Sequence, residues 1–191
     1  MSVSIILLTF LATVLMCSVA QTVVFGSINP INQGKYVQGL PADLSTVLSL
    51  SFIVKDINID KLQEYLSQIS DPNSPNFGKY LDAAQISELT SNPAGQAIVT
   101  AFLTNGGVTI DSKSPSGQKI NASATVSLWQ SLLSAFFYVY SQPDDPSVDS
   151  LIRTPQFSLP VTVASQLSLV TDTVDFPVAI SRGPGILNPH H

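Results

Sequence analysis

The side chains that could do acid–base or metal chemistry are few, and their spacing does not suit them to it. Both histidines, His190 and His191, are the last two of 191 residues, where neither can be held as a general base. The one cysteine is Cys17, inside an apolar leader, so the usual His and Cys zinc sets cannot be assembled. Of the two glutamates, Glu64 shares a helical face with Asp60. A carboxylate in a first helical turn favours the helix dipole, so capping and solvation account for that pair better than acid–base work. Asp144, Asp145 and Asp149 lack the spacing, glycine and glutamate of a calcium loop. No serine has the flanking glycines of a nucleophile elbow. Gly183 and Gly185 flank a proline and make no phosphate loop. These residues predict no catalytic centre, no metal and no cofactor.

The elements around them are those of one small domain. Residues 21–46 carry Gly26, Asn29-Pro30, Gly34 and Gly39-Leu40-Pro41, which predicts an irregular lead-in with order beginning near Val47. VLSLSFIVKDI (47–57) alternates as a strand. Asp60 with Gln63 predicts a capped helix start, and Leu62, Tyr65, Leu66 and Ile69 then fall on one helical stripe. Residues 70–80 form a loop rich in Pro, Asn, Ser and Gly. Asp82 with Gln85 predicts a second, short helix, and Asn92-Pro93 starts a third that stops at Asn105-Gly106-Gly107. Two strands about Ser114-Pro115-Ser116-Gly117 predict a hairpin. A helix capped at Ser127, a strand about Phe137 and Val139, and an acidic loop at 141–150 come next. Thr154–Pro160 reads as extended, and Val161–Val170 as a short helix.

With the helices between the first strand and the hairpin counted as one unit that carries the short middle helix as an insertion, the order is β-α-β-β-α-β. This predicts an α+β domain in which an antiparallel sheet carries two helices on one face, plus a C-terminal extension. Trp129 and the aromatic run Phe136–Tyr140 are expected as core. The other sheet face must be wet or docked.

Met1–Ala20 holds no charged side chain and an apolar run from Ile5 to Met16. It reads as a secretory signal peptide cleaved after Ala20, since the run is shorter than the roughly 20 residues that cross a bilayer. A retained anchor is the alternative. Asn121-Ala122-Ser123 is a glycosylation sequon. A net charge of −5 with 11% charged residues offers no basic footprint for nucleic acid.

The loop Ser70-Asp71-Pro72-Asn73-Ser74-Pro75-Asn76-Phe77-Gly78-Lys79-Tyr80-Leu81, with its flanking helices and RTPQFSLP at Arg153–Pro160, resembles the activation (pro-)domain of the sedolisin or kumamolisin family of serine peptidases, which includes the tripeptidyl peptidases. Asp71, Pro72, Ser74, Pro75, Gly78, Tyr80 and Leu81 match the family's loop, and Phe77 stands where tyrosine is usual. The likeness runs over residues 45–177 and sets the domain at 47–177, with 178–191 as a flexible tail resembling the start of the activation linker. It implies a ferredoxin-like fold and a non-catalytic module that helps a catalytic domain fold and blocks it until acid pH triggers cleavage of the following linker. The catalytic domain, with its Ser-Glu-Asp set, is the implied partner. Its motifs do not occur in this sequence, which leaves a free-standing pro-domain or a truncated precursor. The implied setting is secreted or endolysosomal, without membrane attachment once the signal is removed. A secreted interaction or adhesion module that kept the fold is the rival reading.

Overall fold

A computed structural model describes residues 21–177. The signal peptide, Cys17, the cleavage position Ala20, the tail and both histidines lie outside those residues. The elements run β1 (Thr22–Ser27), α1 (Pro30–Gln33), β2 (Val37–Pro41), β3 (Val47–Val54), α2 (Ile59–Ser70), α3 (Ala83–Thr90), α4 (Pro93–Asn105), β4 (Thr109–Lys113), β5 (Lys119–Thr125), α5 (Val126–Leu133), β6 (Tyr138–Ser141), β7 (Leu151–Arg153), β8 (Gln156–Pro160), α6 (Val161–Ala164) and β9 (Leu167–Thr171). This is a mixed α and β chain with antiparallel sheets.

The main sheet has the strand order β4-β5-β3-β9, each neighbouring pair antiparallel. Alternation along β3 turns Leu50, Phe52 and Val54 inward, all buried, and Leu50 and Phe52 face Ala122 and Ile120 across β5. The covering layer comes from Val99 and Leu103 of α4 and from Val126, Trp129 and Leu133 of α5. Trp129 lies 5.9 Å, centroid to centroid, from Phe52, and its Nε1 donates to Leu48 O at 2.8 Å. That bond satisfies the one polar atom of a buried indole. Phe157 and Leu159 of β8 close the same core, and Phe137 joins it, but Phe136, expected there too, is 71% exposed because it follows the left-handed turn at Ser134 that ends α5.

Four expectations are corrected. The lead-in is not irregular: β1 pairs with β8, and β2 pairs with β6. Both are edge strands with register shifts, where Gly26, Gly39 and Pro41 are tolerated because no second neighbour needs their amides. Second, the strand at Tyr138–Ser141 does not complete the main sheet; it is the centre of a separate sheet, β2-β6-β7. Third, the fourth main strand is β9, where a helix was expected; the helical turn ends at Ala164. Fourth, more than the short middle helix stands apart from the sheet: of the three helices between β3 and the β4–β5 hairpin, only α4 packs on it. The insertion is the whole α2–α3 hairpin, whose Ile69 is buried without joining either core cluster. Two cap positions also shift. Asn58, at φ 55°, precedes α2 with no side-chain cap, and Thr125 rather than Ser127 caps α5.

Candidate docking surfaces

The sequon and the loop Ser70–Leu81 lie on different parts of the molecule. Asn121 is on β5, half-buried on the sheet face away from the helices. Its Oδ1 accepts from Ser51 Oγ at 2.7 Å, and its Nδ2 donates to Ser112 Oγ at 2.8 Å. Beside it Ser123 Oγ donates to Asp111 Oδ1 at 2.8 Å. Strand period puts Ser49, Ser51 and Ile53 on this same face. The result is an open wall of short hydroxyl and amide side chains, already hydrogen-bonded to one another across three strands. Such a surface loses little on contact with another protein, because its polar atoms keep their partners when water leaves.

The loop after α2 is fixed by its own polar residues. Asp71 follows the helix, and its Oδ1 accepts from Asn73 N at 2.9 Å. Its carbonyl accepts from Ser74 N at 2.9 Å. Ser74 Oγ accepts from Asn76 N at 3.1 Å, and Asn76 Nδ2 returns to Gln68 Oε1 of α2 at 2.9 Å. Gly78, at φ +72°, donates its amide to Ile69 O at 3.0 Å and so closes the last turn of α2. Tyr65 Oη holds Lys79 O at 3.1 Å. The short helix α3 then opens on a complete capping box, Gln85 N to Asp82 Oδ1 at 2.8 Å and Asp82 N to Gln85 Oε1 at 3.0 Å. This ordering leaves Pro72 and Pro75 exposed, Leu81 half-buried, and two aromatic rings facing solvent: Phe77 is 55% and Tyr80 80% exposed. Asp71, Ser74 and Gly78 shape the loop. The rings are what it displays.

None of these positions builds a chemical centre. Among the described residues no three His, Cys, Asp or Glu side chains gather as metal ligands, and no buried polar side-chain atom lacks a partner. Asp60 and Glu64 are exposed on α2. Asp145, in the acidic loop, accepts from Ser147 N and Oγ at 3.2 and 2.5 Å, and these bonds hold its carboxyl below the usual range. Asp43 does the same with Ser45, its amide first, and its carboxyl is likewise lowered. The groove between α2 and its loop, lined by Ser67, Gln68, Asp71, Ser74, Pro75 and Asn76, is open to solvent.

One group escaped sequence reasoning. Arg153 is buried and holds residues near the C-terminal end of the described chain. Its only sequence signal was a lone arginine in an otherwise uncharged extended segment. Among the described residues, no helix is long and apolar enough to cross a membrane.

A family model described as the Pro-kumamolisin activation domain matches residues 35–176. Among curated proteins, the chain is 27% identical over 135 residues to the tripeptidyl-peptidase sed4 of Aspergillus fumigatus, covering 71% of this chain and 22% of that protein. It is 27% identical over 150 residues to the tripeptidyl-peptidase SED2 of Arthroderma otae, covering 78% and 25%. It is 31% identical over 137 residues to tripeptidyl-peptidase 1 of Rattus norvegicus, covering 68% and 23%. The chain thus aligns with about a quarter of the length of each of these relatives.

Proposed function

This chain belongs to the Pro-kumamolisin activation domain family, and on that premise we propose that it acts as a non-catalytic pro-domain: a chaperone and inhibitor for the catalytic domain of a sedolisin-type serine peptidase. The observation that carries this is the family match across 142 residues, 35–176. The strand order β4-β5-β3-β9 supports reading the core as ferredoxin-like, with α4 and α5 on one face. The fourth strand comes from β9, after the second sheet has been laid down.

In this reading the open face around Asn121 and Ser51 is the docking surface, and the residues past Pro177 approach the enzyme's cleft. Specific binding calls for an interface of roughly 1,000 Å² or more. The chain reaches its partner through the secretory pathway, after removal of the leader up to Ala20. A glycan on Asn121 would stand on the docking face and oppose binding, so the bare sequon goes with the inhibitory form.

Acid weakens the complex. The net charge of −5 is carried by carboxylates that take up protons as pH falls toward about 4. Much of that charge sits on the α2–α3 region, where Asp56, Asp60, Glu64, Asp71, Asp82 and Glu88 face only Lys61 and Lys79. Any contact that relies on negative charge is lost with it.

The test is inhibition of an activated sedolisin-type peptidase from the same organism by the full chain across pH 4 to 7. Inhibition that is tight at pH 7 and weakens in acid is expected. Equal binding at both ends would sink the acid-release idea. No inhibition at any pH would instead favour an interaction module that kept the fold.

A further inference from the structure

A buried guanidinium needs hydrogen-bond partners for its whole fork of donors, and those of Arg153 come mainly from one short segment. Nε donates to Asp175 O at 2.7 Å, Nη2 to Asp172 Oδ1 at 3.1 Å, and Nη1 to Ile152 O at 2.8 Å. The Arg153 side chain is 8% exposed and that of Asp172 is 49% exposed. Arg153 is the one charged residue among the buried positions of the described chain. Its pairing with Asp172 at the surface is worth little by itself. The bond to a main-chain carbonyl, made by a charge that has left water, is what pins the segment.

Three further contacts act on the same stretch. Asp172 turns the chain out of β9 at φ +66°. Thr154 N donates to Thr173 O at 2.8 Å, and Thr173 Oγ1 to Val170 O at 2.9 Å, both threonines being fully buried. Phe176 then inserts between Tyr36 and Tyr140, with ring centroids 5.2 and 5.1 Å away. Tyr36 and Tyr140 belong to the smaller core cluster beside the β2-β6-β7 sheet. Residues 172–176 are therefore a strap that leaves the edge of the main sheet and is fastened to the second one, with Arg153 at its middle.

We infer that Arg153 is a positioning residue: by fastening this strap it fixes where, and in which direction, the chain leaves the domain after Pro177. The consequence for function rests on the pro-domain reading. A segment that must reach a cleft from a docked domain does so best from a fixed origin, because releasing the strap adds mobile residues and lowers its effective concentration at the target. Arg153 thus acts through the strap.

The experiment uses the full chain and two variants that loosen the strap from opposite ends. Arg153→Met keeps much of the apolar stem without an unpaired charge, and Phe176→Ala empties the aromatic slot. Amide exchange of Thr154 is read against amides of β3 and β5, and inhibition of the peptidase is measured alongside. Both variants are expected to speed Thr154 exchange by about tenfold or more while the β3–β5 amides keep their protection. Both are also expected to weaken inhibition by about tenfold. Arg153→Lys should recover little, since an ammonium cannot span the three acceptors.

A Thr154 amide that stays protected in both variants overturns the inference, as does loss of strap and core protection together in both. So does a loosened strap with unchanged inhibition where the wild-type chain inhibits. If the wild-type chain does not inhibit at all, the pro-domain reading fails, and the exchange data alone decide whether Arg153 fastens the strap.

Discussion

Trp129 shows how much of this domain hangs on single side chains. It is fully buried, packs on Phe52 from the far side of the core, and satisfies Leu48 O on β3. Trp129→Phe keeps a ring but removes that hydrogen bond and leaves space beside Phe52, so a loss of about 1–3 kcal/mol is expected in urea unfolding; no change would mean that neither the bond nor the lost volume matters. Asp43 and Asp145 act at low pH. Their carboxyls are lowered from 3.8 by hydrogen bonds from Ser45 and Ser147. Above the unfolded value both states are ionised and the stabilisation is complete. Below it the unfolded chain takes up protons first, so the contribution fades until pH passes the folded value. The pair Asp43→Asn and Asp145→Asn should therefore flatten the fall of Tm below pH 3.8 and leave Tm at pH 5–7 without that slope.

At the scale of elements, what could be read from the sequence was what is local. The β3 alternation, the Asp82–Gln85 box and the Asn92 cap, whose Oδ1 accepts from Gly95 N at 2.8 Å, all stand where the spacing put them. The β4–β5 turn does too. Gly117 sits at φ +71° directly beneath the Gln96 side chain, whose Nε2 donates to Ser116 O at 2.9 Å. Gly117→Ala should cost about 1–3 kcal/mol, since the methyl group meets both the left-handed backbone and that amide; an unchanged midpoint in thermal unfolding would refute the argument. What spacing could not supply was pairing at a distance. Strand β9 looked helical because Leu167 and Val170 both face inward, three residues apart. A register shift opposite Ile53 and Val54 makes Ser168 an extra residue and breaks the two-residue period. The choice between α2 and α4 as the helix on the sheet was likewise invisible, since both carry an apolar stripe. Of the docking surfaces, the loop was legible as a motif. The open face was legible as a sheet face left wet or docked, but its lining was not, since nothing local says that Ser51, Asn121 and Ser112 meet.

The molecule as a whole divides into a core built on the main sheet, a second sheet carrying the strap, and the α2–α3 hairpin at one side. The hairpin holds Ile69 buried but leaves Leu66, Phe77 and Tyr80 exposed, and neither core cluster includes it. Its amides should accordingly exchange through a local opening, faster than those of β3 and β5; equal protection would make it part of the same cooperative unit. The proposed role needs a partner that covers the sheet face, whose polar atoms are already paired. The direct measurement is complex formation between the full chain and a separately produced sedolisin-type catalytic domain, followed by calorimetry at pH 7 and pH 4. The account predicts a one-to-one complex at pH 7 that is at least about tenfold weaker at pH 4. Absence of any complex at pH 7 would contradict it.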